Sequence, residues 1–475
     1  MPDELPEILR QYSFFECIIK FMKKFLLIVF CAWAVYFGGW FFVYKTGINS
    51  LAIQSEDTIP AIILPVTIIR EGTFYADTYY KAIIEKYPHP DDKKYLKDLV
   101  PFYFRKVGGH YISAFPIMAG LLSTPIYYIP LLARLEITWD NLIILSHLSA
   151  SLILALSGGF FYLLLKKLID DRKALLLTAL YLFATVNFAM VSQALWQHGA
   201  VQLFTILSLL FLYRGSGRKI DTLTSGLFLG LAILSRPTAG ILLPYFILLA
   251  IYLQKKELLD KNLSMGSLIA VGKFKLIFLA GLLPALIFFI WYNATYFGSI
   301  ANQGYASQIG GNWLTPFPQG FLGLWLSPSK GILIYSSVFI FSLVGFGLSL
   351  KNGVKKHLDQ FIFISIVSTH TLLLGSWKHW YGGYSFGYRM ASDVIPFLIL
   401  LLIPYLKSTV FTRTKILFYA AIVVSILFEL MGLAFFDGIW HGTYDKGFWN
   451  QSWLWSVQNS ELVFNIRRLL VKLGP

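Results

Sequence analysis

The chain has 475 residues, of which 56% are hydrophobic, 17% aromatic and only 14% charged, and its mean hydropathy is +0.63. Soluble globular domains have roughly 45–50% apolar and about 25% charged residues, so this composition excludes a soluble globular protein. The net charge of +15 does not indicate nucleic acid, because the basic residues fall mainly between hydrophobic runs and no nucleic-acid motif is present. We predict an all-α, polytopic membrane protein whose partners include the bilayer and an anionic lipid or phosphate.

Hydrophobic runs along the chain have about the length, roughly 20 residues, that a helix needs to cross a bilayer. The 11 predicted spans are 25–45, 141–165, 174–193, 199–213, 222–235, 240–253, 274–297, 332–350, 359–376, 390–406 and 415–436. Cys17 and Cys31 lie before or inside the first run, so neither a disulfide framework nor a metal site is indicated. We also expect no cleavable signal peptide, because no small-residue cleavage site follows the first run.

The basic residues between the runs orient the chain, because cytoplasmic loops of membrane proteins are enriched in lysine and arginine. A cytoplasmic N-terminus puts most of them inside, including Lys23, Lys24, Lys166, Lys167, Lys173, Lys255, Lys256, Lys351, Lys356 and Lys407. The short outer loops then hold only Arg236, Lys330, Lys378 and Arg389. We therefore predict a protein of the cell (plasma or inner) membrane with its C-terminus outside.

The predicted topology exports a long first loop, which we bound at 47–140 within a membrane module over 1–436. It contains an amphipathic, proline-broken segment, Phe115–Leu132, that we predict lies in the outer interface. A true or re-entrant span is the alternative. The tail 437–475 is rich in tryptophan, which suits an interface belt at the outer surface.

The stretch QSEDTIPAIILP follows the first span and carries two adjacent carboxylates, Glu56 and Asp57. Such an acidic pair can simply be solvated. However, the other outer loops bring cations to the same face, and ionisable groups near membrane depth are usually functional. A carboxylate that takes a hydroxyl proton, facing cations that hold a phosphate, is what a group-transfer site requires.

Two motifs supply arginines to this face. In LSRPTAG, Arg236 separates two short apolar runs and Pro237 breaks the helix; snorkelling to lipid phosphates is the alternative reading. In SWKHWYGGYSFGYR, residues 376–389, glycines and aromatics surround a second arginine, and an interfacial anchor is the alternative. Aromatic side chains suit sugar stacking and cations suit phosphate, so the candidates from this motif are Lys378, His379, Trp380, Tyr384 and Arg389.

Three further residues are weaker candidates. Lys330 in WLSPSKG is a plausible phosphate-facing amine or an ordinary surface lysine. His198 in LWQHG either bonds substrate or caps a helix, and Asp77 either shapes the pocket or is solvated.

The order of a first span, an early acidic residue, an interfacial helix and short outer loops resembles the GT-C superfamily of membrane glycosyltransferases. Five motifs are more closely similar to those of bacterial family-39-like enzymes, which include protein O-mannosyltransferases and rhizobial lipopolysaccharide glycosyltransferases. These motifs are SEDTIPA, GHYISAFP, SRPTAG, LSPSKG and WYGGYSFGYR. The resemblance covers roughly Lys24 to Glu429.

This resemblance implies an inverting transfer of a sugar from a polyprenyl-phosphate donor to an acceptor glycan, lipid or protein outside the cytoplasm, without cofactor or metal. It implies that Asp57 is the general base, with Glu56 as the alternative, because relatives often have Asp-Glu where this chain has Glu-Asp. The cations implied for the donor phosphate are Arg236, Arg389, Lys330 and Lys378.

Other functions remain open at this point. A transporter or flippase of a lipid-linked saccharide more often carries paired charges at mid-span, whereas Glu429 is the nearest such residue here. A polysaccharide polymerase or ligase usually relies on a large late outer loop, and the largest loop of this chain comes first.

Overall fold

The computed structural model describes residues 5–49, 53–214, 218–260, 275–301, 304 and 311–473. Its regular structure is helical apart from one antiparallel hairpin of β1 (Phe104–Val107) and β2 (His110–Ser113). The helices are α1 (Leu5–Lys45), α2 (Ile59–Glu71), α3 (Asp77–Lys86), α4 (Met118–Leu132), α5 (Trp139–Leu165), α6 (Asp171–Phe183), α7 (Gln197–Arg214), α8 (Lys219–Ser235), α9 (Leu242–Asp260), α10 (Leu283–Phe297), α11 (Gln319–Leu326), α12 (Ile332–Tyr335), α13 (Ile340–Lys351), α14 (Leu358–Gly375), α15 (Ile395–Leu400), α16 (Leu402–Leu406), α17 (Thr409–Phe435), α18 (Ile439–Tyr444) and α19 (Glu461–Leu473).

Within the described ranges, seven helical segments are long and apolar enough to cross a membrane, and each corresponds to a predicted span. They are Met22–Lys45, Trp139–Leu165, Pro237–Gln254, Lys275–Phe297, Leu358–Gly375, Arg389–Leu406 and Thr409–Phe435. The prediction of an all-α polytopic membrane protein is confirmed.

The other four predicted spans differ in length or polarity. Helix α6 has 13 residues, α8 has 17, and the run 332–350 is divided between α12 and α13. Helix α7 is 18 residues long but carries Gln202, Thr205 and Ser208, all fully buried. A helix surrounded by other helices meets protein rather than lipid, so its side chains can be polar when they are hydrogen-bonded inside the bundle.

The prediction that one helix fills 174–193 is wrong, because α6 ends at Phe183 and the chain then runs irregularly and buried to Trp196. Asn187 and Gln202 exchange two amide hydrogen bonds, 3.1 and 2.8 Å long, and Asn187 also donates to the carbonyl of Tyr181 at 3.0 Å. Irregular backbone at membrane depth is tolerated where protein surrounds it and satisfies its polar groups. The last two residues of this segment, Leu195 and Trp196, line the cavity described below.

The first loop folds against the bundle through α2, α3, the hairpin and α4. Helix α4 coincides with the predicted interfacial segment; it has 15 residues, contains Pro125 and Pro130, and packs on α2 and α5. At 1.5 Å per residue it extends about 22 Å, less than the roughly 30 Å of a bilayer core. Its placement in the interface stays a prediction.

Close helix contacts depend on glycine at a few positions. A Cβ atom on Gly226 would lie 2.0 Å from the carbonyl oxygen of Phe278, and one on Gly281 would lie 2.1 Å from that of Leu223. Small residues let helix backbones approach closely, which is the main source of packing energy between membrane helices. These two glycines therefore fix α8 against the span Lys275–Phe297.

The tail after α17 packs back onto the bundle. Ser327 donates a 2.6 Å hydrogen bond to the carbonyl of Leu454, and Trp440 and Trp453 are 2% and 3% exposed. Trp449, by contrast, is 89% exposed. The tryptophans of the tail therefore divide between the protein core and the outer surface.

Replacing Asn187 with Leu should lower the free energy of unfolding by about 1–3 kcal/mol, because the buried amide of Gln202 loses both of its bonds to Asn187. Thermal unfolding of the purified protein in detergent measures this change. The double variant Asn187→Leu/Gln202→Met should recover much of the loss, since no amide is then left unpaired. Equal unfolding temperatures of wild type and single variant would contradict this role of the amide pair.

Candidate active site

A cavity of about 880 Å³ opens where the first loop, the irregular segment before α7 and the glycine-rich segment after α14 meet. This volume is typical of a small-molecule site. The polar residues that line it include Gln54, Ser55, Glu56, Asp57, His198, Arg236, His379, Tyr384 and Arg389. Seven of the eleven predicted site residues are therefore lining residues of one cavity: Glu56, Asp57, His198, Arg236, His379, Tyr384 and Arg389.

The two carboxylates lie in a single 3-10 turn, Glu56–Thr58, immediately before α2. The hydroxyl of Ser55 accepts a 3.3 Å hydrogen bond from the backbone amide of Asp57, and the hydroxyl of Thr58 donates to the carbonyl of Ser55. Pro60 is the second residue of α2, in the first turn, where a missing N–H costs nothing. Burial, and secondarily the charge of Asp57, raises the pKa of Glu56 above its usual 4.5.

Arg389 contacts Asp57 at the wall of the cavity, and Gly382 and Trp196 also hold it. Its Nη1 lies 3.3 Å from Oδ2 of Asp57, its Nη2 donates to the carbonyl of Gly382 at 2.7 Å, and its Cζ lies 4.1 Å from the ring centre of Trp196. A guanidinium over an indole face is stabilised by about 0.5–2 kcal/mol. The arginine is therefore fixed in position while one edge of it faces a partly exposed carboxylate.

Two residues that support this arginine were not predicted from the sequence. Trp196 donates from Nε1 to Oε1 of Gln54 at 3.1 Å, and Gln54 donates from Nε2 to the carbonyl of Ala189 at 2.8 Å. Gln54 occurs in QSEDTIPAIILP and Trp196 in LWQHG, but neither side chain is titratable, so no charge marked it as a site residue. Gln54 connects the orientation of the indole to the turn that bears Asp57.

A second cluster of charged and polar groups lies deeper in the same wall. Asp393 accepts a 2.5 Å bond from Nη1 of Arg236, lies 2.7 Å from Nδ1 of His198, and lies 3.4 Å from Nε2 of His370. All four side chains are at least nine-tenths buried. The charge of Arg236 is therefore balanced inside the protein, although Arg236 and His198 still reach the cavity.

Asp393 and His370 were also missed. Asp393 lies four residues after Arg389, inside a predicted span, and such a carboxylate in an apolar run is a signal that could have been used. The 3-10 turn Arg389–Val394 thus carries one residue of each ion pair.

Lys330 does not line the cavity, contrary to the expectation that it faces a donor phosphate. Its fully buried amine donates to the carbonyl of Ser385, lies 3.1 Å from Oε2 of Glu461 and 3.3 Å from Nε2 of His441. Burial lowers the pKa of Lys330 and raises that of Glu461. A lysine taken so far from water needs a carboxylate partner, and that partner comes from the first residue of α19.

Three other predicted residues also lie outside the cavity lining. The amine of Lys378 lies 5.6 Å from the ring centre of Phe448, and Trp380 is fully buried and donates to Gln451. Asp77 accepts from the backbone amide of Tyr111 and contacts Nδ1 of His110, each at 2.6 Å. It thereby attaches α3 to the hairpin, because its side chain satisfies a strand-end donor instead of reaching substrate.

The remaining two predicted residues form an aromatic edge of the cavity. His379 accepts or donates a 3.0 Å bond with Tyr381, and Tyr384 stacks on His441 at 4.9 Å while 53% of it is exposed. Trp313 and Trp377 stand on the same side, 4.9 Å apart between ring centres. This edge offers flat apolar surfaces next to the charged wall.

Among the residues that the structure describes, no group of three or more histidine, cysteine or acidic side chains is arranged to hold a metal ion. The charged groups that could contact a ligand in the cavity are the two carboxylates of the 3-10 turn and the two arginines.

Residues 141–291 match the model of a protein family described as dolichyl-phosphate-mannose-protein mannosyltransferase. No curated protein matches the chain significantly. The matched range runs from α5 to α10 and contains His198 and Arg236, but neither Asp57 nor Arg389. The match supports a GT-C-like membrane glycosyltransferase, so the resemblance identified from the sequence is confirmed.

Replacing Lys330 with Met should lower the free energy of unfolding by about 3–5 kcal/mol, because Glu461 then keeps a buried carboxylate without its ammonium partner. The double variant Lys330→Met/Glu461→Leu should be markedly more stable than the single one. Chemical unfolding followed by tryptophan fluorescence measures both. Equal stability of the single and double variants would contradict a buried ion pair.

Proposed function

We propose that this GT-C-like membrane protein is an inverting glycosyltransferase that moves a sugar from a polyprenyl-phosphate donor to a hydroxyl of an extracytoplasmic glycan, lipid or protein. The observation that carries the proposal is the contact between Asp57 and Arg389, 3.3 Å apart at the wall of one cavity. A proton acceptor and a phosphate-binding cation are then both within reach of one substrate.

In the proposed step, the acceptor oxygen attacks the anomeric carbon from the face opposite the phosphate. The bond between that carbon and the phosphate oxygen breaks, and its electron pair leaves with the phosphate. The acceptor proton passes to the carboxylate of Asp57 as the new bond forms, which is general-base catalysis. Attack from the opposite face inverts the configuration at the anomeric carbon.

Arg389 is the proposed ligand of the departing phosphate. Its guanidinium is fixed by Gly382 and Trp196, so it can stabilise the developing charge without reorganising during the reaction. Arg236 and His198 reach the cavity next to it but are engaged by Asp393, so their proposed role is to support the same charge from a second layer.

Asp57 is the preferred base and Glu56 the alternative. Asp57 faces the cation that would hold the phosphate, whereas Glu56 lies beside it with a pKa raised chiefly by burial. A raised pKa makes Glu56 a stronger base than an ordinary glutamate, so the two residues must be distinguished by substitution.

An apolar groove adjoins the cavity and supports a lipid-linked donor. Phe115, Pro116, Ile117 and Pro237 line both spaces, and the groove continues between α8 and α10 past Leu234 and Phe288. Its position would let the first isoprene units leave toward lipid while the phosphate stays at Arg389. The aromatic edge with Tyr384 and His379 is then proposed to contact the sugar or the acceptor.

Lysines at the start of the span Met22–Lys45 and directly after α5 support an extracytoplasmic cavity. Lys24 and Lys166 contact Asp171 at 2.5 and 3.5 Å, and Lys407 donates to the carbonyl of Leu168. Lysines in loops favour the cytoplasmic side. The cavity lies beyond the other end of the span Met22–Lys45, so we propose that it opens to the outside of the cell membrane.

Asp57→Asn should reduce transfer by roughly 10²–10⁴-fold, since a positioned general base contributes this much, while donor binding is retained. Transfer is measured as glycan restored in a deletion strain, and binding with labelled polyprenyl phosphate on protein in nanodiscs. Asp91→Asn, an exposed carboxylate of the same loop, is the matched control. Near-normal transfer by Asp57→Asn, with Glu56 intact or replaced by Gln, would contradict the assignment of Asp57 as the general base.

Arg389→Ala should weaken polyprenyl-phosphate binding by about 1.5–3 kcal/mol, the typical worth of hydrogen bonds to a charged group. The same nanodisc assay measures it, with Arg134→Ala as a control for loss of an exposed arginine in the first loop. Unchanged affinity of Arg389→Ala for polyprenyl phosphate would contradict the proposal that Arg389 binds the donor phosphate.

A further inference from the structure

In the C-terminal helix α19, ELVFNIRRLLVKL, polar residues are turned toward the protein and apolar residues are exposed, which is the reverse of a helix on a water-exposed surface. At 100° per residue, Glu461, Asn465 and Arg468 lie within about 60° of one another, while Ile466 and Leu470 lie on the opposite side and Leu469 lies between the two faces. A helix on a water-exposed surface turns its apolar face to the protein.

The polar face of α19 is directed into the protein. Glu461 and Asn465 are each 1% exposed, and Glu461 binds Lys330 at 3.1 Å. Arg468 donates to Oδ2 of Asp437 at 2.6 Å and to the carbonyl of Phe435 at 3.1 Å. Glu461 and Arg468 therefore have partners inside the fold, while Asn465 is buried beside Leu462 without a hydrogen-bond partner for its Oδ1 among the described residues.

The apolar face is exposed. Ile466, Leu469, Leu470 and Val471 are 39%, 37%, 61% and 81% exposed. Leaving this much apolar surface in water costs about 25 cal/mol for every Å². A partner that is itself apolar removes that cost.

The position of the helix indicates which partner this is. Arg468 holds α19 to the last residue of α17, a predicted span whose Val423, Leu427 and Leu430 are exposed at 56%, 55% and 43%. The apolar face of α19 thus adjoins a surface that already faces lipid. With 13 residues, α19 extends about 20 Å, too short to cross a core of roughly 30 Å.

We propose that α19 is seated in the bilayer, with its apolar face in the leaflet at the cavity end of the bundle and Arg467 at the level of the lipid phosphates. Its polar face then holds the segment 376–389, because Glu461 binds Lys330 and Lys330 donates to the carbonyl of Ser385. The bilayer therefore fixes the position of α19, and α19 in turn fixes the depth of Arg389 relative to the bilayer. This proposal depends on the membrane fold and not on the transfer reaction.

The test uses the full chain with Cys17 and Cys31 replaced by Ser, reconstituted in nanodiscs of phosphatidylcholine and phosphatidylglycerol. A nitroxide is attached at Leu470→Cys or, as a second probe, Ile466→Cys. Collision rates with oxygen, which partitions into lipid, and with a water-soluble nickel chelate are then measured. Leu427→Cys on α17 is the lipid-facing control, and Lys94→Cys, exposed in the first loop, is the aqueous control.

The proposal expects the oxygen-to-nickel collision ratio at positions 470 and 466 to match that at 427 and to exceed that at 94. Ratios equal to that at 94 would overturn it, because the face would then be in water. Low collision rates with both reagents, together with dipolar broadening between labels, would also overturn it in favour of a second copy of the chain.

Discussion

The contact between Asp57 and Arg389 is the constraint on which the rest of the arrangement depends. It joins two short segments that are 332 residues apart in the chain, one after the first span and one at the start of the span Arg389–Leu406. Each segment forms only a short 3-10 turn, which the Ser55 cap stabilises in the first, while Gly382 and Trp196 hold the arginine of the second. The bundle between them, including the glycine contact of α8, keeps the two segments at hydrogen-bonding distance.

The cavity wall contains two arginine–aspartate pairs that differ in access and tightness. Arg236 and Asp393 are 2.5 Å apart and at least nine-tenths buried, with His198 and His370 around them, whereas Asp57 keeps 30% of its side chain exposed and lies 3.3 Å from Arg389. Removing either partner from a buried pair costs several kcal/mol, so the first pair is a fixed part of the scaffold. The second pair has the longer contact and faces the cavity, which suits a pair in which a ligand takes the place of Asp57 at Arg389.

Much of the site could be predicted because charged residues stand out in an apolar chain, and Asp57, Arg236, Arg389 and His198 were found in this way. Lys330 gave the same signal, yet its role depends on Glu461, 131 residues later, and only the folded chain brings them together. Gln54 and Trp196 act through an amide and an indole, which no charge pattern reveals. Likewise, α7 was recognised as a helix, but the irregular segment before it depends on the amide pair of Asn187 and Gln202, which sequence periodicity does not encode.

Under the proposed function, the contact between Asp57 and Arg389 has a consequence for the order in which the donor and the acceptor enter the cavity. In that reaction, a donor phosphate that binds Nη1 of Arg389 replaces Asp57 as the partner of that nitrogen, which leaves the Asp57 carboxylate free to accept a hydrogen bond from the acceptor hydroxyl. An acceptor that arrives in the empty cavity meets a carboxylate still occupied by the guanidinium. An acceptor that enters after the phosphate meets a free carboxylate, so under the proposed function we expect the lipid-linked donor to bind first.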